Sequence, residues 1–174
     1  MRWSFTSAPA WTLRELTASD TADCARWHAQ TFARPWTDGE FQDLLANPGV
    51  SGFMARPAQT TRNGETQPGG FVLTRAVLDE AEILTVAVSP SAQGAGLGAA
   101  LMEAALRALH TAGVASVFLE VDVHNTPALR LYARLGFHRV SMRPDYYAHD
   151  NGARSDAALM RLDLRQPPGA AARG

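Results

Sequence analysis

Hydrophobic and polar positions follow two different periods along this chain, and segments of the two kinds alternate. Period-two alternation and short apolar runs predict seven strands, over residues 11–16, 52–56, 70–76, 82–88, 114–121, 137–142 and 157–164. Apolar residues at helical spacing predict helices over 21–32, 38–45 and 97–110, and a shorter helix that Asn125 caps. Strands and helices that interleave in this way predict a mixed α/β fold.

Local composition sets the expected domain limits. Residues 1–165 are expected to form a single domain, because no repeat and no second unit interrupts the pattern. Residues 57–69 are rich in Thr, Asn, Gln, Gly and Pro, which predicts a mobile loop. Residues 166–174 consist mainly of Pro, Gly and Ala, which predicts a disordered tail.

Charge and residue counts exclude several classes of function. The chain has 174 residues, a formal net charge of −1 and 46% hydrophobic residues, so we expect a globular protein that binds neither nucleic acid nor a membrane. Its five histidines lack the spacing of metal ligands, and we expect no metal. The single cysteine, Cys24, is interpreted as a small buried hydrophobic residue, with a nucleophile as the alternative. No basic segment followed by an apolar one precedes the first strand, which predicts a cytoplasmic protein.

Three glycines, at positions 94, 96 and 98, surround the start of the third predicted helix. Glycine leaves backbone N–H groups uncovered at a helix N-terminus, where partial positive charge is concentrated, and this combination binds phosphate. Gly94-x-Gly96-x-x-Ala99 matches a dinucleotide-binding pattern, with Glu120 near the place of a ribose-binding acid. A dinucleotide loop follows its strand almost at once, whereas Ser89 to Gln93 intervene here. The spacing therefore favours a different phosphate ligand.

Taken as Gln93-x-x-Gly96-x-Gly98, the same loop resembles the pyrophosphate loop of the GNAT family of N-acetyltransferases. Further motifs, in the order expected of this family, are similar to the ribosomal-protein-alanine N-acetyltransferases of the RimI type: Trp27-His28…Phe32…Pro35-Trp36, Glu120-Val-Asp-Val-His-Asn125, Leu131-Tyr132-Ala-Arg-Leu135-Gly136-Phe137 and Arg143-Pro-Asp-Tyr146-Tyr147. The resemblance covers residues 11–164.

The resemblance implies a fold and a cosubstrate. The expected fold is a twisted, mostly antiparallel sheet of about six or seven strands, splayed in the middle and flanked by about four helices. Acetyl-CoA is the implied cosubstrate, without a metal, in contact with Val86, Ala87, Val88, Gln93, Gly94, Ala95, Gly96, Leu97, Gly98, Ala99 and Asn125. The family often carries arginine where this chain has Gly94 and Ala95. Their loss predicts weaker cosubstrate binding or compensation by an arginine elsewhere.

Glu120 and Tyr132 occupy the positions of the family's general base and general acid. Glu120 lies at the end of a predicted strand, where alternation puts its neighbours Leu119 and Val121 on the opposite face. This pattern alone is equally compatible with a general base and with a solvated surface glutamate. Tyr132 is either the acid that protonates the departing thiolate or an aromatic residue of the core. The resemblance favours the catalytic role for both.

The acceptor implied by the resemblance is the α-amino group of a protein N-terminus, specifically the N-terminal alanine of a small-subunit ribosomal protein. Trp36, Tyr146 and Tyr147 would bind it, the two tyrosines from a loop that walls the acceptor channel. Two alternatives are acetylation of a lysine or small-molecule amine, and a sensor that binds acyl-CoA without turnover. Glu120 and Tyr132 at the family's spacing argue against the sensor.

Overall fold

The computed structural model describes residues 11–58, 69–149 and 151–165. In these residues the strands are β1 (Trp11–Glu15), β2 (Val50–Pro57), β3 (Gly70–Val77), β4 (Glu80–Val88), β5 (Ser116–Asp122), β6 (His138–Ala148) and β7 (Arg154–Asp163). The α-helices are α1 (Thr21–Ala29), α2 (Asp38–Leu45), α3 (Leu97–Thr111) and α4 (Thr126–Arg134). Each predicted strand and helix is present, and only β6 differs greatly in length from its prediction.

The strands form one sheet in the order β1-β2-β3-β4-β5-β7-β6. Neighbouring strands are antiparallel except β4 and β5, which are parallel. A parallel pair needs a crossover connection, and α3 provides it. The mixed α/β fold class and the mostly antiparallel sheet expected from the sequence are confirmed.

Helices cover both faces of the sheet, and the sheet separates the core into two clusters. On one face the apolar stripe of α3, which includes Leu101 and Ala105, packs in a cluster with residues of β5. On the other face Trp27 of α1 and Phe41 of α2 pack with Phe71 and other residues of β3. No helix in the described part of the chain is long and apolar enough to cross a membrane.

One extra residue interrupts the regular pairing of β4 with β3. Thr74 of β3 lies opposite Ile83, whereas Leu73 lies opposite Thr85. Leu84 is therefore left over between two paired positions, which is a β-bulge. Such a bulge bends its strand and increases its twist.

The bulge falls where β4 separates from β5. The two strands pair only from Glu80 opposite Ser116 to Glu82 opposite Phe118. Beyond that point each strand keeps its other neighbour, β3 or β7, and the described residues form no further pairs between β4 and β5. The sheet is therefore splayed in its middle, as the resemblance implied.

The end of β6 differs from the prediction. The strand continues from Met142 to Ala148, so Tyr146 and Tyr147 lie in a strand and the expectation of a loop is wrong. The period-two pattern of the sequence ends too early because the strand is irregular beyond Met142. Its register with β7 shifts after Arg143, and Asp145 has a φ of +51°, which interrupts the alternation. The predicted tail 166–174, and most of the predicted loop 57–69, lie outside the described residues.

Candidate active site

Glu120 lies on β5 with its carboxylate on the face of the sheet opposite α3. Its neighbours Leu119 and Val121 are 2% and 4% exposed and belong to the core cluster of α3. Because side chains alternate along a strand, Glu120 points to the other face. Its side chain is 22% exposed, so the carboxylate is sheltered but still accessible.

Two side chains of β6 contact the Glu120 carboxylate. Arg143 Nη1 lies 3.1 Å from Glu120 Oε1. The Tyr146 hydroxyl lies close to the same carboxylate, and this interaction raises the pKa of Tyr146. The Arg143 guanidinium also lies over the Tyr146 ring, 4.8 Å from its centroid. These contacts fix the orientation of the carboxylate.

The irregular part of β6 brings Arg143 and Tyr146 to this place. Asp145 between them has a left-handed backbone, which is unfavourable for a residue other than glycine. Two residues of β7 hold it: the Asp145 N–H donates to Asp156 Oδ1 at 3.0 Å, and the Asp145 carbonyl accepts from Arg154 Nε at 2.7 Å. The hydrogen bonds offset the unfavourable conformation at a point that serves the site.

Tyr147 and Tyr132 are two further tyrosines near Glu120 whose pKa values are raised. Burial, and to a lesser extent the nearby charge of Glu120, raises the pKa of Tyr147 to about 12. Tyr132 is also close enough to Tyr147 to interact with it electrostatically. Tyr132 packs edge-on against Phe137 with a ring separation of 5.9 Å, and burial raises the pKa of Tyr132 to about 12. Both phenols are therefore protonated at neutral pH and can donate a hydrogen bond.

The loop between β4 and α3 has the geometry of an anion site. Gly94 and Gly96 both have a φ of +78°, a conformation that favours glycine. A β-carbon at either position would meet no atom within 4 Å, so the loop surface is open. The Ala100 N–H bonds the Gly96 carbonyl at 3.1 Å, and the three preceding amides at the start of α3 have no carbonyl to bond within the helix. Free donors of this kind fit a diphosphate.

Gln93 braces this loop, and α4 lies beside the helix that follows it. Gln93 Nε2 donates to the Val88 carbonyl at 3.0 Å and so braces the turn from β4 into the loop. Asn125 Oδ1 accepts the Ala128 N–H at 3.2 Å and caps α4, as the sequence predicts. Leu131 of α4 lies beside the start of α3, 3.6 Å from where a β-carbon of Gly98 would be.

The part of β4 beyond the bulge borders the gap between the splayed strands. Val86 and Val88 pack toward the cluster of α3, and Ala87 packs toward the cluster of α1 and α2. On the side of β5, no described strand pairs with this part of β4. Apart from the Val88 carbonyl, which Gln93 already bonds, the main-chain groups on this side are therefore available to a ligand that enters the gap.

A cavity of about 400 Å³ lies beside Glu120 on the same face of the sheet. Phe118 and Leu159 form part of its apolar lining. Arg75 and Glu82 also line it and form an ion pair at 2.8 Å, so these two charges neutralise each other. The space is large enough to receive a small molecule or the end of a longer one.

Trp36 lies in the connection between α1 and α2, within an aromatic cluster. It stacks on His28 at 4.9 Å and meets Phe41 edge-on at 5.5 Å, and its backbone N–H donates to His28 Nδ1 at 3.0 Å. Burial lowers the pKa of His28 to about 4, so the imidazole is neutral at physiological pH. The contacts of Trp36 are thus with the core cluster of α1 and α2, and the residue stays partly exposed.

Comparison with known proteins places this geometry in a family. Residues 21–137 match the Acetyltransferase (GNAT) family. The [ribosomal protein bS18]-alanine N-acetyltransferase of Escherichia coli K12 is 35% identical over 153 residues, which covers 88% of this chain and 97% of that protein. The chain belongs to the GNAT family and is an acetyl-CoA-dependent N-acetyltransferase.

Solved structures agree with this assignment. The ribosomal-protein-S18-alanine N-acetyltransferase from Escherichia coli superposes with a TM-score of 0.78 at 32% identity, over 92% of this chain and 97% of that one. Arabidopsis thaliana NAA60, solved in complex with acetyl-CoA, superposes with a TM-score of 0.76 at 21% identity, over 90% of this chain and 99% of that one. The second likeness concerns the fold alone.

Sequence reasoning missed two features of this site. Arg143 is part of one of the family motifs, but the sequence assigns it no role. Its ion pair with Glu120 depends on the irregular backbone of β6, which no local pattern indicates. The bulge at Leu84 likewise cannot be predicted from the sequence, because a run of apolar residues is compatible with regular and bulged strands alike.

Proposed function

We propose that this protein transfers the acetyl group of acetyl-CoA directly to the α-amino group of a protein N-terminus, and that its acceptor is the N-terminal alanine of a small-subunit ribosomal protein. One observation carries the proposal: the Glu120 carboxylate, held by Arg143 and Tyr146, faces a cavity beside the gap between β4 and β5. The relative at 35% identity, named for alanine acetylation of ribosomal protein bS18, supports this acceptor.

The residues around the gap fit acetyl-CoA, which supplies an acetyl group activated as a thioester. The open loop with Gly94 and Gly96, and the free amides at the start of α3, would hold the diphosphate. Ala95 lies exposed within the same loop. Val86 to Val88 offer main-chain groups to the remainder of the molecule.

Glu120 is the proposed general base. The acceptor arrives mainly as an ammonium ion and must lose a proton before its nitrogen can attack, and Glu120 takes that proton directly or through a water molecule. An α-amino group has a pKa near 7.8 and a lysine near 10.4, so deprotonation of the lysine costs about 3.5 kcal/mol more. An α-amine is therefore easier for Glu120 to deprotonate than a lysine, which supports an N-terminal acceptor.

Tyr132 is the proposed general acid. Its burial keeps the phenol protonated, so that its hydroxyl can donate to the thiolate that leaves as the amide forms. Tyr146 and Tyr147 lie on the acceptor side of the site and, with the accessible part of Trp36, would wall the channel for the peptide.

Substitution of the two proposed catalytic residues tests the reaction. Glu120→Gln and Tyr132→Phe should each lower kcat tenfold or more, with circular dichroism and melting temperature close to those of the wild type. Glu103→Gln is the matched control, since Glu103 is an exposed glutamate on α3, and it should leave kcat unchanged. Near-normal turnover in both catalytic variants would overturn the roles proposed here.

A competition experiment tests the acceptor. The enzyme is offered an alanine-initiated peptide, an N-acetylated peptide that contains lysine, and a polyamine. Mass spectrometry then identifies which amine gains about 42 Da, the net change when one acetyl group replaces a hydrogen. We expect the alanine α-amine to be modified first. Preferential modification of the lysine or the polyamine would exclude the proposed acceptor, and absence of thiol release from acetyl-CoA with all three would favour a sensor.

A further inference from the structure

The Thr85 hydroxyl on β4 is buried without a partner. The residue is 7% exposed, and its Oγ1 atom makes no hydrogen bond to any residue that the structure describes. Asp38 and Arg56 also carry one buried unpaired atom each, but other atoms of both side chains are bonded, to Gln42 and to Asp23 respectively. Thr85 has no second polar side-chain atom. A buried hydroxyl left unpaired destabilises a fold, so its presence needs an explanation.

Strand register determines the face on which Thr85 lies. Thr85 is opposite Leu73 of β3, and Arg75, two residues along β3 on the same face, is opposite Glu82. Residues that face each other across a strand pair share a face, as do residues two apart along a strand. Thr85 and Glu82 therefore share a face although they are three residues apart, because Leu84 is the extra residue of the bulge.

The same argument connects Thr85 with Glu120. Glu82 is opposite Phe118 in the short parallel pairing, and Glu120 is two residues beyond Phe118. Glu82, Phe118 and Glu120 also line one cavity, as expected of residues on one face. Thr85 and Glu120 thus stand on the same face, on the two strands that diverge, each just beyond the last paired position. Thr85 is not among the residues that line this cavity, but it lies on the face of β4 that an amine beside Glu120 would adjoin.

We propose that Thr85 Oγ1 accepts a hydrogen bond from the acceptor amine and thereby positions it for attack. One N–H proton of the acceptor goes to Glu120, a second N–H donates to Thr85, and the lone pair of the nitrogen is then directed at the acetyl carbon. The inference rests on the proposed acetylation of an amine beside Glu120, but not on which amine it is. It also gives the unpaired hydroxyl its partner, which is present only in the complex with the acceptor.

Thr85→Val and Thr85→Ser separate this role from a structural one. Valine keeps the shape of threonine and removes the hydroxyl, so kcat/KM for the acceptor should fall about fivefold or more, the loss of one hydrogen bond. KM for acetyl-CoA should not change, and the melting temperature should be equal or higher because an unpaired buried hydroxyl is gone. Thr85→Ser keeps the hydroxyl and should retain most of the acceptor kcat/KM.

Three results would overturn the inference. The first is wild-type kcat/KM for the acceptor in Thr85→Val. The second is a loss in Thr85→Ser as large as that in Thr85→Val. The third is a loss in Thr85→Val that comes with a lower melting temperature and weaker acetyl-CoA binding, since that would indicate damage to the fold.

The acceptor panel keeps this test separate from the proposed function. All variants are assayed with the alanine-initiated peptide, the lysine peptide and the polyamine. If the wild type uses only one of the latter two, and Thr85→Val loses activity on it, the proposed acceptor is wrong and the role of Thr85 stands. If the alanine peptide is used equally by the wild type and Thr85→Val, the role of Thr85 falls and the proposed function stands. Transfer to no amine would overturn both.

Discussion

Burial acts on Cys24 and Tyr132 in the same direction, with opposite chemical consequences. It raises the pKa of each side chain to about 12. For Tyr132 the result is a phenol that keeps the proton it is proposed to donate. For Cys24, which is fully buried between α1 and the sheet, the result is a thiol that does not form the nucleophilic thiolate.

Substitution of Cys24 should leave catalysis intact. We expect Cys24→Ala to retain the wild-type kcat, because direct transfer needs no acyl-cysteine, and to lose about 1 kcal/mol of unfolding free energy from the lost packing. Steady-state kinetics and urea denaturation measure the two quantities. An inactive but well-folded Cys24→Ala protein would instead indicate a covalent route through the thiol.

Irregular elements build the site on a regular sheet. The bulge in β4 opens the gap toward β5, and the irregular segment of β6 brings Arg143 and Tyr146 to Glu120. The loop before α3 has left-handed glycines at positions 94 and 96, and it has Gly94 and Ala95 at the two positions where the resemblance led us to expect arginine. Its proposed contribution to binding therefore lies in backbone N–H groups, whose direction depends on the conformation at Gly94 and Gly96.

Alanine at Gly96 should weaken acetyl-CoA binding beyond its effect on stability. The residue has a φ of +78°, and Gly113 at the far end of α3 has a φ of +86°, with no atom within 4 Å of an added β-carbon at either position. Each substitution should cost about 1–2 kcal/mol of unfolding free energy through backbone strain. Calorimetric titration should show weaker acetyl-CoA binding only in Gly96→Ala. Equal affinity in Gly96→Ala and Gly113→Ala would exclude the loop as the diphosphate site.

The stability of the whole molecule depends on a neutral histidine in the cluster that joins α1 and α2. Burial lowers the pKa of His28 to about 4, against 6.5 for the unfolded chain. Between these two pH values the unfolded chain binds a proton that the folded protein does not, so acid favours unfolding. The stabilisation is complete above pH 6.5 and is lost as the pH falls toward 4.

The unfolding free energy should therefore decrease by roughly 3 kcal/mol between pH 7 and pH 4 through His28 alone. Denaturant titrations across this range measure the decrease. His28→Gln, which lacks a titrating group there, should be less stable at pH 7 but should show a flatter dependence on pH. Identical pH slopes for the two proteins would mean that His28 does not control the acid sensitivity. The stabilising contribution of Asp20, whose pKa beside Arg14 is about 2, is lost mainly below pH 4.

Local signals determined the elements of this protein and several of its site residues. The periods of apolar residues define the strands and helices, and Asn125 caps α4 as its side-chain chemistry favours. Strand alternation also turns Glu120 away from the core, because its two neighbours are apolar. These properties depend on residues a few positions apart, so they can be read along the chain.

Tertiary structure alone decided how those residues meet. The separation of β4 from β5 at Leu84, the contact of Arg143 with Glu120 and the unpaired hydroxyl of Thr85 all depend on strand register. Register is set by the free energy of the packed sheet as a whole, and a single extra residue changes the face of every residue that follows it. For this reason the sequence alone predicts Glu120 as a candidate base, while only the folded sheet brings Arg143 into contact with it and puts Thr85 on the same face.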